Sequence, residues 1–203
     1  IKDASLIYSN SQIIDHKGKH TKLTATERYP MHSIDSRNKD IFYYLVFNSF
    51  ILGCSTLFKR ELLKDFLPIF STTRNHDWWL SVCAQKANGI KYIDEILFYY
   101  RHHEESFSRK GEVLSLYQKI TLNFSKKRCT ERLNKIKYLY EIASFLLKNK
   151  YYSNVREKFF LENTIKYTNS ICNTKVHFYS LYFSMKYRKY MFFNRSKFEN
   201  FLH

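Results

Sequence analysis

The sequence predicts an α/β fold followed by an α-helical C-terminal appendage. Residues 6–15 begin as an apolar run and end in turn residues, as a buried strand leading into a loop does. Residues 77–89 have helical spacing, and the apolar runs 90–93 and 96–100 follow as strands. Strand, helix and strand of these lengths favour an α/β sheet with polar groups at its strand ends.

Particular residues predict where the helix and the strands of this unit end. Asn88 and Gly89 are typical of a left-handed cap at the end of a helix. Asp94 and Glu95 interrupt the next apolar run, so we expect a kink there. The strand then ends at Arg101, which is followed by two histidines.

The middle of the chain is less regular. Residues 20–40 are polar and contain Pro30, so we predict a variable loop. Residues 41–58 are uncharged for 18 positions and are weighed as a membrane span against a buried strand or helix; polar residues within the run favour burial. Residues 58–67 have helical spacing until Pro68, which predicts a short amphipathic helix.

Basic charge is concentrated in the second half of the chain. Residues 1–100 hold 13 Lys and Arg against 10 Asp and Glu, whereas residues 101–203 hold 21 against 8, a net +13 of the total +16. Such a basic half implies an anionic partner: a lipid surface, a phosphorylated substrate or nucleic acid.

Residues 111–203 are predicted to be helical, with apolar residues at helical spacing from Leu133 onward. Between Glu162 and Glu199 there is no acidic residue, yet seven Lys and Arg are interleaved with aromatic residues. Basic, aromatic helices favour the surface of an anionic membrane. Single-stranded nucleic acid, bound by stacking and phosphate contacts, is the second interpretation.

The four cysteines are far apart, with no Cys-x-x-Cys pair, so their spacing fits neither a zinc ribbon nor a disulfide framework. Free thiols in a reducing compartment are expected. A zinc site formed by Cys54, His76, His102 and His103 matches no established ligand spacing.

The most informative stretch is Asn75-His76-Asp77-Trp78-Trp79. Asp77 is placed to cap the helix that follows. The two tryptophans diverge by about 100° around that helix, so at most one is expected to point straight into the core. A carboxylate beside an aromatic wall suits a sugar site, whereas the simpler interpretation is a capping Asp followed by two core tryptophans.

Five motifs occur in an order that resembles the second half of family 2 glycosyltransferases, in particular the rhamnosyltransferase type that builds bacterial cell-surface polysaccharides. They are residues 6–15, Gly53-Cys54-Ser55 with 58–63, His76-Asp77-Trp78-Trp79, residues 92–95, and Tyr100-Arg101-His102-His103. The resemblance covers about residues 4–110. It implies a partial GT-A (Rossmann-like) domain over residues 1–110, followed by the basic helical tail over 111–203.

The resemblance also implies roles for single residues. Asp77 would be the general base that deprotonates the acceptor hydroxyl as it attacks the anomeric carbon with inversion. Acceptor binding would fall to Gly53, Cys54, His76, Trp78 and Trp79, with Gly53 in a turn under the pocket. Arg101 and His103 would reach the donor diphosphate or its metal, an Mg²⁺ or Mn²⁺ ion. The donor would be a nucleotide-diphosphate sugar, and the acceptor a glycan or a lipid-linked glycan.

One departure from the family pattern matters. The Asp-x-Asp motif that should precede the first strand occurs nowhere in the 203 residues. We therefore expect a fragment, since the chain begins with Ile1, or a decayed gene product. The expected location is cytoplasmic, peripheral to the inner face of the membrane. The alternative function is a non-catalytic basic module, for membrane or nucleic acid, derived from such an enzyme.

Overall fold

The computed structural model describes residues 3–71, 75–101, 126–172 and 178–191. Within these ranges the chain forms a mixed four-stranded sheet and seven α-helices, which confirms the predicted α/β class. The strands are β1 (Leu6–Ile14), β2 (His20–Thr24), β3 (Thr56–Phe58) and β4 (Ile90–Arg101). The helices are α1 (Ala25–Arg28), α2 (Ile41–Phe47), α3 (Leu63–Phe66), α4 (His76–Ala87), α5 (Lys126–Lys148), α6 (Val155–Cys172) and α7 (Phe178–Met191).

β1 is the central strand of the sheet and is mostly buried, and burial is what its apolar sequence predicts. It pairs along its whole length with β4, in parallel. β3 pairs antiparallel with the first half of β1, where Leu6 lies opposite Phe58, and β2 pairs antiparallel with the second half, where Ile14 lies opposite His20. Because β4 occupies one edge of β1 throughout, β2 and β3 share the other edge.

The predicted kink at Asp94 and Glu95 is confirmed, but as a bulge within one strand. The pairing with β1 passes from Ser9 opposite Ile93 to Asn10 opposite Ile96, so two residues are inserted. The bulge is held by Asp94 Oδ1, which accepts hydrogen bonds from the side-chain amide of Asn10 (Nδ2) at 3.3 Å and from the Tyr92 hydroxyl at 2.7 Å.

The predicted loop over residues 20–40 is wrong. This segment forms β2, α1 and a 3₁₀ turn at Pro30–Ser33. α1 begins with a reciprocal cap in which Thr24 Oγ1 accepts from the Glu27 amide, and Glu27 accepts from the Thr24 amide. Further on, Asp35 accepts a hydrogen bond from the Tyr92 amide at 2.9 Å, so the segment also covers the start of β4.

The uncharged run over residues 41–58 is divided among several elements. It contributes the buried helix α2, a 3₁₀ turn at Gly53–Ser55 and the strand β3. No helix in the described ranges has both the length and the apolarity to cross a bilayer. The short helix predicted over 58–67 begins later than expected, because Phe58 still belongs to β3 and α3 covers only Leu63–Phe66.

The sequence suggested that the C-terminal helices form an appendage beside the sheet domain. The structure differs, because the described helices α5, α6 and α7 share a core with the rest of the chain. Their buried residues belong to one continuous core with those of α2 and α4. Phe145 of α5 packs against Trp79 of α4 with ring centroids 5.5 Å apart, and Phe160 of α6 packs against Tyr43 of α2 at 4.6 Å. The three helices therefore complete the core on the side of α2 and α4.

Candidate functional site

The candidate site lies at the first turn of α4. The cap of this helix is Asn75, not Asp77 as predicted, because Asn75 Oδ1 accepts a hydrogen bond from the Trp78 amide at 2.7 Å. Asn75 has extended backbone angles, and the helix begins at His76. Asp77 is therefore the second helical residue, and its carboxylate is not used as the cap.

The Asp77 carboxylate packs against the backbone of the 3₁₀ turn Gly53–Ser55. A Cβ atom at residue 53 would lie 2.8 Å from Asp77 Cγ and closer still to Oδ1, so only glycine leaves room for the carboxylate. The predicted turn at Gly53-Cys54-Ser55 is confirmed. The structure thus brings together two motifs that the sequence separates.

His76 is the neighbour of this carboxylate on the helix. Its Nε2 lies 2.5 Å from Asp77 Oδ1, close enough for an ion pair when the imidazole is protonated. The two atoms do not have hydrogen-bond alignment, and Oδ1 is buried with no hydrogen-bond partner among the described residues. The His76 side chain is 71% exposed and that of Asp77 is 22% exposed, so solvent reaches the pair from the imidazole side.

Cys54 forms the rim of the same turn. Its side chain is exposed and its thiol is free. Partial burial raises the thiol pKa, and the negative charge of Asp77 raises it further. Cys54 is therefore a neutral thiol at physiological pH, which suits a contact residue better than a nucleophile.

Trp78 and Trp79 are both core residues, which corrects their assignment to acceptor binding. Each is almost fully buried, and each indole N–H donates to a backbone carbonyl: Trp78 to Leu45 at 2.7 Å and Trp79 to Phe66 at 2.9 Å. The expectation that only one could point into the core is also wrong. α4 is enclosed by α2 on one side and by α5 on the other, so both directions lead into the interior.

Arg101 lies apart from Asp77, at the last residue of β4 opposite Ile14. Its side chain is exposed and donates a hydrogen bond to the His16 carbonyl at 3.0 Å. Gly53 precedes β3, which pairs near the other end of β1. The role of Arg101 toward a diphosphate stays a prediction, and His103 lies outside the described residues.

A divalent metal has no evident ligand set in the described part of the chain. No group of three or more His, Cys, Asp or Glu side chains converges there. Arg101 cannot serve as a ligand, because a guanidinium carries only donors. The metal implied by the resemblance is thus assigned no residue among those described.

The roles of two residues at the site were not predicted from the sequence. Asn75 positions the first turn, and Ser49 Oγ lies 3.3 Å from both the oxygen and the nitrogen of its side-chain amide. The signal for Asn75 was present, since Asn is as common a helix cap as Asp and stands directly before His76. No sequence pattern indicated Ser49, which reaches the site through the end of α2.

Comparisons of the chain with protein-family models, with curated proteins and with solved structures found no match. The order of the motifs and the geometry around Asp77 are therefore the basis for a functional assignment.

Proposed function

We propose that the chain is the acceptor-binding half of an inverting glycosyltransferase with a GT-A fold, and that Asp77 is its general base. The observation that supports this most directly is the contact between the Asp77 carboxylate and Gly53. Asp77 lies against Gly53, which has no side chain, at a helix start that is already capped by Asn75. The carboxylate makes no capping hydrogen bond and the side chain is 22% exposed, so Asp77 can serve as a base.

In the proposed reaction, Asp77 accepts the proton of an acceptor hydroxyl as that oxygen attacks the anomeric carbon of the donor sugar. The bond from the anomeric carbon to the diphosphate breaks, and the diphosphate leaves with the electron pair. A positioned base of this kind contributes about 10² to 10⁴ in rate. The Asp77 carboxylate occupies the space that a side chain at residue 53 would fill, and Cys54 and His76 lie beside it.

The donor side of the reaction is supported only by the resemblance. A nucleotide-diphosphate sugar and its Mg²⁺ or Mn²⁺ ion would be held chiefly by a part of the fold that carries Asp-x-Asp. Arg101 would offset charge on the leaving diphosphate, since a guanidinium binds phosphate oxygens in pairs. The acceptor is a glycan or a lipid-linked glycan of cell-surface polysaccharide synthesis, handled at the cytoplasmic face of the membrane.

The test compares Asp77→Asn with wild type in the full-length protein that carries this chain. Sugar transfer from labelled nucleotide-diphosphate sugars is measured together with the melting temperature of the same preparation. We expect transfer to fall by about 10² or more with little change in melting temperature, because Asn75 and not Asp77 caps α4.

Glu61→Gln is the matched control, since it neutralises an exposed carboxylate in the turn before α3. It should keep wild-type transfer. A folded Asp77→Asn protein with wild-type turnover would reject the catalytic assignment and favour the non-catalytic basic module.

A further inference from the structure

The last described helix, α7, packs in one defined orientation, because one of its faces is buried in the core. Phe183, Tyr187 and Tyr190 are buried in the common core, at the spacing of one helix face. The Tyr190 hydroxyl donates to Asp40 Oδ2 at 2.7 Å, and Asn48 donates to the Tyr190 carbonyl at 2.7 Å. These contacts determine which side of α7 is turned outward.

That outer side is apolar where a solvent-facing helix is usually polar. Leu181, Tyr182 and Met185 are 56%, 59% and 69% exposed. Met185 is four residues after Leu181 and three after Tyr182, so its side chain is a neighbour of both on the surface of the helix. Single exposed apolar residues are common, but α7 is apolar on both its inner and its outer faces.

The next turn of the same helix is cationic. Lys186, Arg188 and Lys189 follow the apolar group, and no residue of α7 is acidic. Lys189 makes an ion pair with Asp40 at 2.8 Å. Lys186 lies 5.6 Å from the ring centre of Tyr182, which joins the cationic and apolar parts into one surface.

We infer that the outer face of α7 binds an anionic membrane surface. Leu181, Tyr182 and Met185 enter the boundary between head groups and acyl chains, while Lys186 and Arg188 contact lipid phosphates. This combination of an apolar group and cations on one helix surface suits peripheral binding. The inference goes beyond the proposed function and rests on different residues.

Two other partners fit this surface less well. Single-stranded nucleic acid needs several exposed rings for stacking, but Phe183, Tyr187 and Tyr190 are buried, which leaves Tyr182 as the one exposed ring among residues 181–191. A second copy of the chain would bring two cationic surfaces together, and each chain carries a net charge of +16.

The experiment measures co-sedimentation of the 203-residue chain with phosphatidylcholine vesicles that contain 0 to 40 mol% phosphatidylglycerol, about the range in which surface charge becomes strong. Binding should increase with phosphatidylglycerol and decrease with added NaCl. Leu181→Gln with Met185→Gln removes apolar surface without changing charge, and should weaken binding about ten-fold. Lys186→Gln with Arg188→Gln should weaken it about five-fold for each cation and reduce the preference for anionic vesicles.

Val155→Gln with Phe159→Gln is the control, because both residues are exposed apolar side chains on α6. It should bind as wild type does. All substituted residues are exposed, so the melting temperature should remain within a few degrees of the wild-type value.

Unchanged binding of both α7 variants, equal binding to neutral and anionic vesicles, or an equal loss in the α6 control would overturn the inference. If the chain bound oligo(dT) more tightly than vesicles, and both α7 variants weakened that binding, the partner of this face would be nucleic acid and not a membrane.

Discussion

The Asp77 carboxylate lies against the Cα atom of Gly53, so closely that a Cβ there would be 2.8 Å from Asp77 Cγ. A turn near the start of β3 thus determines where the first side chains of α4 can lie. The contact couples the position of the proposed base to a residue with no side chain. Substitution of either partner should therefore change the geometry of the other.

Gly53→Ala should reduce sugar transfer by about 10² in the full-length protein, because a displaced base is no longer aligned with the acceptor hydroxyl. The new methyl group should also destabilise the fold by about 1–3 kcal/mol, as overpacking usually does. Steady-state kinetics and urea unfolding measure the two effects. Leu57→Ala, which changes an exposed side chain on the adjacent strand β3, should leave both near wild type. Equal behaviour of the two variants would contradict the role of Gly53.

Asn75→Ala should destabilise the chain by about 1 kcal/mol, because the Trp78 amide loses its hydrogen-bond acceptor. Asn75→Asp should be nearly neutral, since Asp caps helices about equally well. Urea unfolding of the two variants beside Asp77→Asn measures the difference. A larger loss of stability in Asp77→Asn than in Asn75→Ala would mean that Asp77, and not Asn75, holds the helix start.

Trp78→Phe and Trp79→Phe should each destabilise the fold by about 1–3 kcal/mol. Each change removes the indole N–H that donates to a backbone carbonyl, of Leu45 or of Phe66, and leaves a smaller ring in the core. The Michaelis constant for the acceptor should be unaffected, because neither ring is exposed. A raised Michaelis constant for the acceptor with unchanged stability would show that the tryptophans contribute to acceptor binding after all.

Acid should destabilise the protein partly through His32. Burial lowers the pKa of His32 to about 4, below its ordinary value near 6.5. Between these two values the unfolded chain binds the proton more strongly, so stability falls as the pH falls from about 6.5 to about 4. The loss from this residue is at most about 3 kcal/mol.

The His32 contribution can be measured as the free energy of unfolding from pH 7.5 to pH 4, in wild type and in His32→Gln. The variant should lose less stability across that range, because it has no side chain to protonate there. His20→Gln, which changes an exposed histidine, is the control and should follow wild type. Parallel curves for wild type and His32→Gln would show that His32 remains accessible to protons in the folded state.

Local sequence patterns predicted most of the elements around the site. The apolar run of β1 and the interruption at Asp94 and Glu95 follow from the spacing of apolar and polar residues, whereas the turn at Gly53 was implied by the family resemblance. The left-handed conformation of Gly89, with φ of +82°, likewise ends α4 where the sequence indicated. Short polar elements were missed, because β2 and α1 together span only nine residues and are stabilised by pairing with β1 and by the Thr24–Glu27 cap.

The sequence by itself determined the α/β class, the position of the helix that carries Asp77, and the concentration of positive charge in the C-terminal half. These properties depend on neighbours in the chain, such as the apolar period, the cap residues and the net charge. Tertiary structure alone decided which side chains face solvent. Trp79 is buried because Phe145 of α5 packs against it, and Tyr187 is buried because α7 packs against α2 and α6. Gly53 likewise contacts Asp77 across elements that are separate in the sequence, because burial and close contact depend on residues that are distant in the chain.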